Sequence, residues 1–187
     1  MRLFPARSAP PPAPVIVAPA KDERQERWRS LTLEGNLAFE QGEVSRARQL
    51  YEEALAVADA LMADAALAGD PQAVRLAPLL HGTACNNIVE LARSQGDRET
   101  AGSYLYRRVS CLISVMESSR APLDLRLRCL LHLKVASSGV YEYFEHGGMW
   151  DSAAAFTERA NAAMFTVRRL EAAAGHEPTV PEQRLVL

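Results

Sequence analysis

Apolar residues recur at spacings of three and four along most of this chain, and the middle of its first half shows the pattern most clearly. This spacing places the apolar side chains on one face of a helix with 3.6 residues per turn. We therefore predict an amphipathic helix over residues 44–68, with its apolar face formed by Ala47, Leu50, Tyr51, Ala54, Leu55, Ala58, Leu61 and Met62.

Glycine, proline and short polar residues divide the rest of the chain into similar segments. Gly42 ends one helix, and Asp70 before Pro71 starts another, because an aspartate caps a helix N-terminus and proline suits its first turn. The six predicted helices cover about residues 23–41, 44–68, 71–94, 98–118, 122–145 and 151–174. Short connections make successive helices antiparallel neighbours, so we predict an all-α fold of three stacked antiparallel helix hairpins.

The two ends of the sequence differ in composition from these helices. Residues 1–22 are rich in proline and alanine, and we expect them to form a disordered leader. Residues 175–187 carry two prolines and finish in three apolar residues, so we expect a flexible tail after a helical domain over residues 23–174.

Length and charge narrow the class of protein. The 187 residues suffice for one domain with an ordinary core, and the net charge of -2 favours neither nucleic acid nor an anionic membrane surface as a partner. Prolines interrupt the N-terminal apolar residues, and no later stretch is continuously apolar over a membrane thickness. The three cysteines fit buried thiols in a reducing compartment, and arginine far outnumbers lysine. We expect a cytoplasmic protein, and we read the arginine bias as that of a GC-rich bacterial genome.

Small residues at fixed offsets mark the turn between the first two predicted helices. They are Gly35, Ala38, Gly42, Ala47 and Ala54, with Tyr51 among them. In this pattern the sequence resembles the tetratricopeptide repeat family, most specifically over residues 31–58, with weaker copies around 85–109 and 134–160. The hinge glycines Gly42, Gly96 and Gly148 are 54 and 52 residues apart, whereas that family repeats every ~34 residues. The resemblance implies a tetratricopeptide-like α-solenoid with lengthened helices.

That resemblance also implies a concave groove lined by the first helix of each hairpin. Its expected lining residues are Arg29, Asn36, Phe39, Glu40, Asn86, Asn87, Glu90, Arg93, Lys134 and Glu142. In the family, asparagines at the places of Asn36 and Asn87 bind the backbone of a bound peptide, and an amide can both donate and accept. We therefore expect a protein–protein interaction module, such as an adaptor, scaffold or chaperone-like protein, that holds a partner's peptide or helix.

Two further readings come from other residues. His81 and Cys85, and then Cys129 and His132, share helical faces at spacings of four and three, as two halves of a Cys2His2 zinc site would. This region could serve a metal- or ligand-responsive regulator, although buried thiols and interfacial histidines explain it without a metal.

The last helix or the apolar tail could alternatively join copies of a self-associating structural protein. No catalytic or phosphate-binding motif is present, so we expect neither enzymatic activity nor a cofactor.

Overall fold

A computed structural model describes residues 21–175, and within that range the chain forms six α-helices. Their bounds are α1 Lys21–Glu40, α2 Val44–Ala68, α3 Pro71–Ser94, α4 Arg98–Glu117, α5 Leu123–Gly147 and α6 Trp150–Ala173. The predicted all-α fold is confirmed, and the predicted helix bounds agree to within two residues. Helix α1 begins two residues before the predicted domain start, while the rest of the expected leader and the tail beyond Gly175 lie outside the described residues.

Local capping explains why the helices begin and end where they do. The Asp70 carboxylate accepts a hydrogen bond from the Ala73 backbone N–H at 2.9 Å, and Asp97 accepts one from Thr100 at 3.0 Å. Each interaction satisfies an N–H group that has no partner within the helix. Gly69 ends α2 with φ near +62°, a left-handed conformation that other residues rarely adopt.

Each helix packs against the next one in the chain, and longer-range contacts join α3 to α5 and α4 to α6. The main core runs from α2 to α6, and its fully buried members include Leu112, Leu125 and Leu130. A smaller core beneath α1 contains Tyr51, Cys85 and other residues of α2 and α3. The molecule is therefore a helical repeat-like stack in which α1 and α6 are the end helices.

The first hairpin packs as its small residues predict. A Cβ atom at Gly35 would lie 2.6 Å from the Tyr51 ring, so only glycine lets α1 and α2 approach this closely. Ala47 and Tyr51 are buried, as expected for residues that fill the hairpin core. The Tyr51 hydroxyl donates a hydrogen bond to Asn36 Oδ1 at 2.9 Å.

Candidate functional site

An open cavity of about 370 Å³ lies between the C-terminal end of α3, the first turns of α4 and the last turns of α5. We call this surface the α3–α5 groove. It combines an apolar floor with a charged rim, and its lining includes Arg93, Arg98, Leu105, Glu142, Tyr143 and His146.

Glycines on the floor of the α3–α5 groove allow α4 and α5 to approach each other closely. A Cβ atom at Gly139 would lie 3.1 Å from a Leu105 methyl, and one at Gly102 would lie 1.9 Å from the Tyr143 ring. The rim side chains Arg98 and Glu142 are exposed and of opposite charge. A small-residue floor and a rim of both signs suit a peptide, whose backbone needs close approach and whose side chains need partners.

A second cavity, of about 470 Å³, lies on the other side of Tyr143, between α4, α5 and the first half of α6. We call it the aromatic cavity. Its lining includes Tyr106, Phe144 and Phe156, whose rings contact one another edge-on or tilted, with Phe144 centroids 6.2 and 6.1 Å from the other two. Gly102 and Tyr143 line both cavities.

An ion pair joins α4 to α6 at one end of the aromatic cavity. Arg159 Nε and Nη2 donate to the two Glu117 carboxylate oxygens at 2.9 and 2.6 Å. These hydrogen bonds lower the pKa of Glu117 and raise that of Arg159. The arginine that lines the cavity is thus already neutralised, so a ligand there must be recognised mainly by its apolar surface.

The structure brings two of the predicted groove residues together, Arg93 at the end of α3 and Glu142 near the end of α5. Arg93 also pairs with Glu90 at 3.2 Å, one turn earlier on α3. The other expected residues do not line the α3–α5 groove: Arg29, Asn36, Phe39 and Glu40 are exposed on α1, Asn86 and Glu90 are exposed on α3, and Asn87 and Lys134 are half-buried.

The predicted asparagines have partners or cover within the fold. Asn36 Oδ1 accepts a hydrogen bond from the Tyr51 hydroxyl, and Asn86 Oδ1 accepts one from Arg108 Nη1 at 2.9 Å. Asn87 Nδ2 is enclosed, with no hydrogen-bond partner among the described residues. Recognition of a peptide backbone by Asn36 and Asn87 stays a prediction. Binding through Asn36 Oδ1 would compete with its hydrogen bond from Tyr51.

His81 lies at the centre of a charged group that links three helices. Its ring is fully buried on α3, and Nε2 lies 3.3 Å from Asp59 Oδ1 on α2. The other Asp59 oxygen accepts from Arg107 on α4 at 2.6 Å. Burial alone would lower the pKa of His81, but the hydrogen bond with Asp59, aided by the Cys111 and Cys85 thiols, raises it to about 12. Despite its own partial burial, Asp59 has a lowered pKa because of His81 and Arg107, so the two groups form an ion pair.

The structure does not assemble the candidate zinc ligands His81, Cys85, Cys129 and His132 into one site. Among residues 21–175, no group of three or more His, Cys, Asp and Glu side chains is placed to hold a metal ion. Cys85 Sγ lies 3.9 Å from His81 Nε2, the nitrogen that already contacts Asp59, and burial raises the pKa of Cys129. Zinc needs a neutral imidazole and deprotonated thiols, so a protonated His81 and a protonated Cys129 are poor ligands.

Sequence reasoning missed the aromatic cavity and the Asp59 partner of His81. The sequence does contain a signal for the cavity, since aromatic residues make up only 6% of the chain yet concentrate at 104–106, 141–144 and 156.

In the described part of the chain, no helix has both the length and the apolar character that a membrane crossing requires.

Comparison with known families places the chain without assigning it an activity. Residues 26–172 match the model of the family described as Protein of unknown function (DUF2753), and the chain belongs to that family. No curated protein and no solved structure matches it. The expected membership of the tetratricopeptide repeat family is therefore wrong. Small residues at helix-hairpin contacts are a general packing requirement, so they do not identify one family.

Proposed function

We propose that this protein is a non-catalytic protein–protein interaction module that binds a segment of a partner protein in the α3–α5 groove. The observation that supports it is the convergence of Arg93 and Glu142, from separate hairpins, on one open cavity with a floor of small and apolar residues. The proposal includes an adaptor or scaffold role in the cytoplasm of a bacterial cell. The scarcity of lysine and three unpaired cysteines support that setting.

The chemistry of the groove defines the segment it would take. A small aliphatic side chain of the partner would cover Leu105 and Gly139 on the floor. An acidic side chain would face Arg98, and a basic side chain would face Glu142. Because three packed helices hold these groups, the surface is preorganised and loses little conformational entropy on binding.

Two substitutions on one helix turn test the site. Glu142 lines the α3–α5 groove, whereas the exposed Glu145 does not. We expect Glu142→Arg to reduce capture of specific partners from the native lysate about tenfold or more, as loss of a rim contact with charge repulsion implies. The matched variant Glu145→Arg should retain them.

A photo-crosslinking amino acid at the same two positions gives a direct second measurement. We expect a covalent adduct with a discrete partner from position 142 and none of comparable yield from position 145. Equal capture by both charge-reversal variants, together with equal crosslinking, would show that the groove is not the binding surface.

Self-association is a second candidate function, favoured by apolar side chains at both ends of the stack. Leu33 and Leu37 on α1 are 58% and 54% exposed, and Phe165 on α6 is 60% exposed. Exposed apolar side chains that cluster on an end helix are typical of surfaces that another copy can cover.

A further inference from the structure

We propose that the chain after α6, residues 176–187, docks by its apolar residues Leu185, Val186 and Leu187 in the aromatic cavity of the same molecule. This inference goes beyond the proposed function, because it concerns the aromatic cavity and an occupant supplied by the chain itself. Three observations lead to it: the character of the cavity, the reach of the segment and the surface between them.

The aromatic cavity offers a suitable receptor. Tyr106, Tyr143, Phe144 and Phe156 give it aromatic walls, and Tyr106 is 44% exposed. Its one arginine is held in the bidentate pair with Glu117, so the cavity selects for aliphatic groups more than for charge. Aliphatic side chains packed on aromatic rings remove apolar surface of both from water, which is favourable.

The segment has the composition to reach and fill it. Residues 176–187 read HEPTVPEQRLVL, with an uninterrupted apolar run only at the last three positions. Pro178 and Pro181 cannot continue a helix and favour an extended chain that rises ~3.1 Å per residue. An extended chain of this length would carry the apolar run well away from the end of α6.

The distances along α6 agree with that reach. Gly175 has φ near +73°, the left-handed conformation that turns the chain out of the helix axis. Phe156 lies nineteen residues before Gly175, or about 28 Å back along the helix at 1.5 Å per residue. Leu185 follows Gly175 by ten residues, or about 31 Å of extended chain. A segment that folds back along α6 therefore places Leu185 level with Phe156.

A strip of exposed side chains on α6 provides the path. Residues at spacings of three and four share one helical face, and those leading from the helix end to the cavity are Leu170, Thr166, Ala162, Arg159 and Ala155, all exposed. The small ones leave room for an extended chain, and Leu170 offers an apolar contact on the way. Because the segment is tethered to its receptor, its effective concentration is on the order of millimolar, which favours the same molecule over a second copy.

Proteolysis of the full-length chain tests the docking with two adjacent substitutions. Ala155→Glu places a charged side chain in the aromatic cavity, whereas Ala154→Glu makes the same change at an exposed neighbour outside it. Trypsin cleaves after Arg184, next to the proposed contact, and cleavage follows the population of the undocked segment. We expect Ala155→Glu to speed cleavage after Arg184 about tenfold relative to wild type, and Ala154→Glu to leave the rate unchanged.

Nuclear Overhauser effects identify the contact itself. We expect signals between the methyl groups of residues 185–187 and the ring protons of Tyr106 and Phe156, within one molecule in mixed-label samples. Equal cleavage rates in wild type and both variants, absence of these signals, or signals only between molecules would each overturn the proposal. Neither measurement depends on a partner protein, so a negative result for the docked segment would leave the proposed function standing.

Discussion

At the scale of single residues, the pair formed by His81 and Asp59 makes the stability of the fold depend on pH. A fully buried imidazolium is unfavourable by itself, and here one carboxylate compensates it. Because the pKa of His81 is raised in the folded state, the folded protein holds a proton that the unfolded chain releases near pH 6.5. The contribution of the pair is therefore complete below that pH and declines as the pH rises toward about 12.

This linkage gives a signed prediction for Asp59→Asn. Without the carboxylate, burial keeps His81 neutral, and the variant loses the pH dependence that the pair creates. We expect the free-energy advantage of wild type over Asp59→Asn to shrink by about 1.4 kcal/mol per pH unit between pH 6.5 and 8. Urea denaturation at several pH values measures this difference.

Asp64→Asn is the matched control, because Asp64 also lies on α2 and pairs with an arginine of a neighbouring helix, Arg24, at 2.6 Å. That pair contains no histidine, so we expect the difference in stability between Asp64→Asn and wild type to stay constant between pH 6.5 and 8. A constant difference for Asp59→Asn as well would show that His81 is uncharged in the folded protein.

The sequence predicted the neighbour of His81 on its own helix but not its ion-pair partner on another helix. A spacing of four on one helix places His81 beside Cys85, and this local contact is present. Asp59 belongs to a different helix, and its contact depends on the angle at which α2 crosses α3. The periodicity of apolar residues carries no information about that angle. The ion pair between His81 and Asp59 could therefore not be predicted as an alternative to a zinc site.

At the scale of helices, boundaries were predictable because they depend on local chemistry. Asp70, Asp97 and the hinge glycines set where helices start and stop, and the six helices follow from them together with the apolar periodicity. The α3–α5 groove was predictable only in part, through Arg93 and Glu142. Cavities depend on how far neighbouring helices stand apart, which is set by individual side chains such as Tyr143 against Gly102.

Substitution of Gly102 tests that packing. A Cβ atom there would lie about 2 Å from three atoms of the Tyr143 ring, so the ring or α4 must move. We expect Gly102→Ala to lower the free energy of unfolding by about 1–3 kcal/mol despite the better helix propensity of alanine. Tyr143→Leu in the same chain should recover more than half of the loss, as measured by chemical denaturation.

Gly139→Ala serves as the comparison, since its Cβ would meet only the flexible side chain of Leu105, with the nearer methyl at 3.1 Å. A small shift of that methyl accommodates it, and we expect stability within about 1 kcal/mol of wild type. Equal losses at Gly102 and Gly139 would mean that helix propensity, rather than the contact with Tyr143, decides the outcome.

At the scale of the whole molecule, a stack of helices has two ends, and each end exposes a face that inner helices would cover. The exposed Leu33 and Leu37 on α1 predict concentration-dependent association of copies. We expect Leu33→Ser with Leu37→Ser to abolish that association in sedimentation velocity with little change in stability, because both side chains are exposed.

Leu67→Ser is a suitable control, because Leu67 is more exposed than either leucine, at 78%, yet lies at the C-terminal end of α2. We expect the Leu67→Ser variant to associate to the same extent as wild type. If wild type sediments as a monomer at every concentration tested, self-association through α1 is excluded and the end helices are simply tolerant of exposed apolar residues.

The charged link from Arg107 through Asp59 to His81 also bears on how such a protein can change in evolution. Repeat arrays usually gain and lose whole units, because each unit interacts only with its neighbours. Here Asp59 belongs to the first hairpin, while both cations it neutralises belong to the second. Deletion or exchange of the first hairpin would leave His81 in an apolar core without its counter-ion. An exchanged first hairpin therefore preserves this ion pair only if it carries an acidic residue at the position of Asp59.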